Sequence, residues 1–220
     1  VGDYPHDLKD SNDAPEAVSL YREILAGRPD GSVTIVVVGW LTNMAELLHS
    51  GPDAHSPLTG RELVAAKVRE LVSMGGTWPN SPKDEGEYNF TMDRPAAHKV
   101  INEWPGRIVF TGLGKDVMTG GRLVAEGPGD NPVPAFYRNF FKANNVSARS
   151  SWDLIAVLYA VRGLSEYFTL VSDGKCITPD EASHQWQGGP ASNHAYLEYR
   201  MPPQALAAVI EDLLLTAPAR

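Results

Sequence analysis

Val33 to Leu48 reads VTIVVVGWLTNMAELL. Its first six residues, Val33 to Val38, are apolar or β-branched with no polar alternation. A run so short and continuous reads as a strand buried on both faces, as in a parallel sheet covered by helices. Gly39 ends the strand. Asn43, with Glu46 three residues on, then predicts a helix N-cap. A buried strand, a tight polar turn and a helix form the edge at which open α/β sheets bind ligands.

The flanking segments repeat the pattern. Ala14 to Ala26 has apolar residues at helical spacing, and Gly27 to Gly31 closes it with a turn. Thr59-Gly60-Arg61-Glu62 is a capping box, and Glu70 to Met74 reads as a buried strand ending in Gly75-Gly76. Thr77 to Thr91 reads as a long polar loop, and Asp93 as the cap of a helix from Arg94 to Trp104. Arg107 to Thr111 predicts a third strand. Lys115 to Gly127 is short helix or coil, and Pro132 to Ala143 and Ser151 to Arg162 are helical. Phe168–Val171 and Lys175–Ile177, flanking Ser172-Asp173-Gly174, read as a hairpin. Tyr196 to Tyr199 reads as a last strand and Pro203 to Leu215 as a terminal helix. This alternation argues one α/β domain over residues 1–220, with an open, mostly parallel sheet flanked by helices.

Composition limits the function. The chain has 220 residues and a net charge of -8, which argues against non-specific binding to nucleic acid or to an anionic membrane. No apolar run approaches membrane-spanning length. A single cysteine, Cys176, excludes an internal disulfide and fits a reducing, cytoplasmic setting. Gly112-Leu113-Gly114 lacks the third glycine of a dinucleotide fingerprint, and there is no P-loop and no nucleophile elbow. The six histidines show no ligand spacing. His194 and Cys176 read as packing residues.

The ends of parallel strands lie on one sheet edge, so Thr42-Asn43, the Met74 to Asn89 loop and Gly112 to Asp116 can converge on one ligand. Glu87 and Asn89 are two apart and share a side if the segment is extended. A carboxylate beside an amide suits a polyol. Asp153, opening an apolar helix, either caps that helix, is buried and paired, or binds a cation. Trp152 is either core or a stacking platform.

These residues carry a resemblance. Gly39-Trp40-Leu41-Thr42-Asn43, Met74-Gly75-Gly76, Glu87-Tyr88-Asn89-Phe90, Asp93 with Ala96-Ala97, and Ser151-Trp152-Asp153 before Ala156-Val157 are similar, in order and approximate spacing, to motifs of the inosine-uridine preferring nucleoside hydrolases. The resemblance covers the C-terminal portion of such an enzyme. It implies calcium-dependent cleavage of the N-glycosidic bond of purine or pyrimidine nucleosides. It also implies that the Thr42 carbonyl and the Asp153 carboxylate bind Ca2+, that Glu87 and Asn89 hold ribose hydroxyls, and that Asn80 reaches the 5′ side. Trp152 stands where many members carry histidine, so an indole there could stack on the base but could not protonate it.

Family members open with a strand ending in D-x-D-x-x-x-D-D, the source of the proton-accepting carboxylate. Asp3, Asp7, Asp10 and Asp13 lie in a polar stretch with no buried strand before them and do not reproduce it. The expectation is therefore a fragment or processed form, with N-terminal strands absent and a homo-oligomer or a further segment covering the sheet edge. The alternative to a hydrolase is a catalytically inert fragment, or a ribose-binding or assembly partner.

Overall fold

The computed structural model describes residues 4–5, 7–79, 86–179 and 183–216. Asn80 lies outside the described residues. The chain runs α1 (Ala17–Ala26), β1 (Val33–Val37), α2 (Thr42–His49), α3 (Gly60–Lys67), β2 (Val68–Ser73), α4 (Tyr88–Thr91), α5 (Arg94–Glu103) and β3 (Arg107–Phe110). Then follow β4 (Met118–Thr119), α6 (Gly121–Glu126), α7 (Pro132–Asn144), β5 (Arg149–Ser150) and α8 (Trp152–Arg162). The last elements are β6 (Phe168–Val171), β7 (Gly174–Ile177), β8 (Gln185–Gly188), β9 (His194–Tyr199) and α9 (Pro203–Leu215).

The main sheet has the order β1-β2-β3-β9-β6. Its first four strands are parallel, and β6 is antiparallel to β9. The expected mostly parallel α/β sheet is what forms. Side chains alternate across each strand, so neighbours face opposite layers. Leu71 and Ile108 join the core under the helices that include Met44, Leu47, Val64 and Ile101. Val72 and Val109 join the opposite core with Ile155, Leu158, Leu206 and Ile210 of α8 and α9. Burial on both faces explains why β2 and β3 lack a polar–apolar alternation.

β1 departs from expectation. Ile35 and Val37 are buried, but Val33, Thr34 and Val36 are only partly covered. Among the described residues β1 pairs on one side only, with β2, so it is an edge strand with an incomplete second layer.

The expected hairpin at Ser172-Asp173-Gly174 does not form. Phe168 to Val171 pairs with Tyr199 to Tyr196 in the main sheet, whereas Gly174 to Ile177 pairs with Gly188 to Gln185 in a separate ribbon. Gly174, at φ 142°, turns the chain out of the sheet. Phe168 is then buried in the α8–α9 core and Cys176 in the opposite one, a division that a two-stranded hairpin would not provide.

Helix starts follow local chemistry. The Thr59–Glu62 capping box is complete, and Asp93 accepts the Ala96 N–H. α1 begins at Ala17 because Glu16 accepts from the Val18 and Ser19 N–H groups. α2 begins two residues earlier than expected. Leu41 occupies its N-cap position without a side-chain cap, and Asn43 lies inside the helix and exposed. Among the described residues no helix is long and apolar enough to cross a membrane.

Candidate active site

The C-terminal ends of β1, β2 and β3 lie along one edge of the sheet and feed the loops that surround a cleft of about 630 Å³. Glu87, Asn89, Trp152 and Asp153 line it, together with Val38, Met74, Gly76, Tyr88, Lys115 and Arg149. Four of the expected site residues therefore come together. Thr42 lines a neighbouring groove of about 440 Å³ beside β1, which meets the cleft at Val38. The loops after β2 and β3 touch closely: a Cβ at Gly112 would lie 1.7 Å from the Gly76 carbonyl oxygen. No side chain is tolerated at that approach.

Glu87 and Asn89 are not on an extended strand. Glu87 caps α4, and its carboxylate accepts from the N–H groups of Asn89 and Phe90 at 3.0 Å each. Burial nevertheless raises its pKa above the ordinary glutamate value, with these N–H groups acting in the opposite direction. Asn89 is buried, and its Nδ2 donates to the Met74 carbonyl and to Met74 Sδ, both at 3.0 Å. With its donor engaged, Asn89 has Oδ1 left for a ligand. The pair presents acceptors to the cleft, which suits hydroxyl donors.

Trp152 opens α8 and is partly buried, packed against the α8–α9 core while also lining the cleft. Its backbone lies against Gly114, where φ is 119° and a Cβ would sit 2.6 Å from Trp152 Cα. Asp153 is the second residue of α8 and accepts no cap bond, so the helix-cap reading does not hold. No hydrogen bond or ion pair reaches its carboxylate among the described residues, and it is open to the cleft. The cleft walls desolvate it enough to raise its pKa, against the opposing field of Arg149.

Two aspects of the site escaped the sequence reading. Lys115 and Arg149 bring positive charge to the cleft. Thr77 is held from behind by His184, whose Nε2 accepts the Thr77 N–H at 2.9 Å. His184 sits among Trp78 and Phe90, and burial lowers its pKa to about 4. His194 is also buried, accepting the Cys176 N–H at 3.2 Å, in line with a packing role. Burial pushes the Cys176 thiol up, which makes it inert at neutral pH.

A hard cation such as calcium takes six to eight oxygens. Asp153 offers a free carboxylate. Thr42 offers a carbonyl in the first turn of α2, with one lone pair in the helix ladder and one left over. Among the described residues no group of three His, Cys, Asp or Glu is placed to hold a metal. The two donors line adjoining hollows and fall short of that shell, so no catalytic step is assigned to the ion.

The matches to known proteins agree with this geometry. The family model "Inosine-uridine preferring nucleoside hydrolase" matches residues 1–188. The inosine-uridine preferring nucleoside hydrolase of Crithidia fasciculata is 30% identical over 112 residues, 50% of this chain and 32% of that protein. The Leishmania major enzyme of the same name is 30% identical over 101 residues, 46% of this chain and 29% of that protein. The matched segment thus spans about a third of the length of these relatives. Among solved structures, a plant nucleoside hydrolase, PpNRh1, superposes with a TM-score of 0.66 at 18% identity, covering 97% of this chain and 71% of that one. A purine-preferring ribonucleoside hydrolase from Gardnerella vaginalis gives a TM-score of 0.66 at 16% identity, covering 96% and 70%. At such identities the likeness establishes the fold, and the family model spans all the residues that line the cleft. By that match, the chain belongs to the inosine-uridine preferring nucleoside hydrolase family.

Proposed function

We propose that this chain acts, as a single α/β domain, in hydrolysis of the N-glycosidic bond of purine or pyrimidine nucleosides, giving ribose and free base. The observation that carries the reading is the convergence of Glu87, Asn89, Trp152 and Asp153 on one cleft in a member of this family. Glu87 and Asn89 Oδ1 accept from ribose hydroxyls. Trp152 gives the base an aromatic wall. Departure of the base leaves oxocarbenium-like charge on the ribose, as in glycoside hydrolysis. The Asp153 and Glu87 carboxylates favour that charge over the neutral ground state, which is the differential binding that lowers a barrier.

Calcium dependence is part of the same proposal. Asp153 and the Thr42 carbonyl would hold the ion, which when bound orients the diol and makes an attacking water more acidic. Asn80, outside the described residues, is proposed on motif similarity alone to reach the 5′ side. A homo-oligomer or a further segment covering the open edge of β1 also belongs to the proposal, because an uncovered edge strand is an aggregation hazard.

A second reading, a ribose-binding protein without turnover, is favoured by one observation: the described residues hold no three-carboxylate group for a metal. Ribose release from inosine and uridine, with calcium and with a chelator, separates the two. Turnover on the order of 1 per second or faster supports hydrolysis. Release at the uncatalysed rate alongside measurable ribose binding supports the second reading.

A further inference from the structure

Glu87 lines the cleft and also a small internal cavity, and among the described residues it is the one common to the two. The cavity is about 10 Å³, room for one water. Phe90, Ala97 and Ile101 give it apolar walls, and His98, Thr178 and His184 give it polar ones. A cavity of that size with several hydrogen-bonding groups is where proteins keep an ordered water, whereas an apolar one stays dry.

His184 is fixed in the wall of this cavity. Its ring stands edge-on to Trp78 and to Phe90, each at 5.2 Å between centroids. Nε2 accepts the Thr77 N–H at 2.9 Å, so in the neutral ring the proton sits on Nδ1, which is then a donor. Burial keeps the ring neutral at neutral pH. Elsewhere in the wall, Asn102 Nδ2 donates to Thr178 Oγ1 at 2.8 Å, and Thr178 Oγ1 shares a hydrogen bond of 2.7 Å with His98 Nδ1.

The Glu87 carboxylate has room for a donor from the cavity. The Asn89 and Phe90 N–H groups take one lone pair on each oxygen, at 3.0 Å. An ionised carboxylate has about four such sites. The titratable and charged groups that share the two hollows with Glu87, among the described residues, are Tyr88, Lys115, Arg149 and Asp153 in the cleft and His98 and His184 in the cavity. We propose that the cavity holds one water, which accepts the His184 Nδ1–H and donates to the Glu87 carboxylate, so that His184 positions Glu87 for ribose and favours its ionised form. This rests on the ribose reading of Glu87. His184 is a positioning residue, acting through Glu87. Its two nitrogens serve one wall of the cleft, Nε2 through Thr77 and Nδ1 through the water.

Calorimetric titration of the full chain with ribose, down the acidic range, tests the inference on wild type, His184→Gln and His184→Asn. Glutamine keeps an acceptor where Nε2 holds Thr77 and gives up the Nδ1 donor. Asparagine keeps a donor at the Nδ1 position and gives up the hold on Thr77. In His184→Gln the loss of ribose affinity on acidification should begin about 1 pH unit higher than in wild type, the equivalent of one hydrogen bond to the carboxylate. His184→Asn should return that break toward the wild-type position. A merely structural role would weaken binding by the same factor at every pH and leave the break in place. That outcome in His184→Gln, or an equal shift in both variants, overturns the inference and leaves the ribose reading standing. If the wild type binds no ribose at any pH, the ribose reading fails and takes the positioning role with it. A crystal structure of the full chain carries the test even if neither variant folds. A water within about 3.2 Å of both His184 Nδ1 and the Glu87 carboxylate supports the inference. A cavity filled by a side chain, or by nothing, overturns it.

Discussion

The Thr42 hydroxyl donates to Asp93 Oδ2, joining two helix starts that are 51 residues apart. The other oxygen of the same carboxylate, Oδ1, caps α5 through the Ala96 N–H. One aspartate thus fixes where α2 and α5 begin, and with them the loops that reach the cleft. Thr42→Val keeps the shape and removes the donor. A hydrogen bond to a charged group contributes about 1.5–3 kcal/mol. Loss of that size should lower the melting temperature by several degrees, at roughly 2–4 °C per kcal/mol for a domain of this size. The Thr42 carbonyl is untouched, so ligand affinity in the folded variant should be close to wild type. A large loss of affinity with unchanged melting would assign the hydroxyl to the ligand instead.

Glu87 has a double duty. Glu87→Ala should lose an N-cap, about 1 kcal/mol of stability, and should raise KM for a nucleoside by about tenfold or more through loss of a charged acceptor. Its pKa is raised by burial. Affinity should therefore begin to fall, on acidification, above the usual glutamate range. The pH dependence of KM measures this, and a profile that breaks only at the ordinary glutamate value would place Glu87 away from the substrate.

His184 makes the cleft wall sensitive to acid. Its folded pKa is about 4 against 6.5 for the free side chain. Between those values the unfolded chain binds the extra proton, so stability rises with pH across the window and is lost as pH falls from 6.5 toward 4. The full shift corresponds to roughly 3 kcal/mol. Thermal melts from pH 7 to 4 should show a decline that is shallower in His184→Gln. Parallel slopes for the two proteins would remove His184 as the cause.

Local features were legible in the sequence, and register was not. The capping box at Thr59, the Asp93 cap and the strand–turn–helix at Val33 to Leu48 depend on residues within a few positions of each other. The sequence showed them, to within a residue or two at the helix starts. The partner of Phe168–Val171 depended on a sheet edge formed by β9, more than twenty residues later, and the hairpin reading failed there. Glu87 and Asn89 were singled out in the sequence and line the cleft, but their orientation was not legible there. It is set by backbone N–H groups and by Met74, a contact across 15 residues. Lys115 and Arg149 belong to no motif. Only the β4–β5 pairing and the Ser150 bond to the Lys115 carbonyl bring them to one cleft.

Asp153 is where the structural and functional accounts separate. Its carboxylate supports no cap and no ion pair among the described residues, so Asp153→Asn should change stability by no more than about 0.5 kcal/mol. If Asp153 holds the reacting centre of a nucleoside hydrolase, the same substitution should cost about a hundredfold or more in kcat. The decisive measurement is ribose release from inosine by wild type and Asp153→Asn, run beside their melting curves. Matched melting with turnover collapsed in the variant is the expected result. Matched melting with turnover preserved would contradict the account.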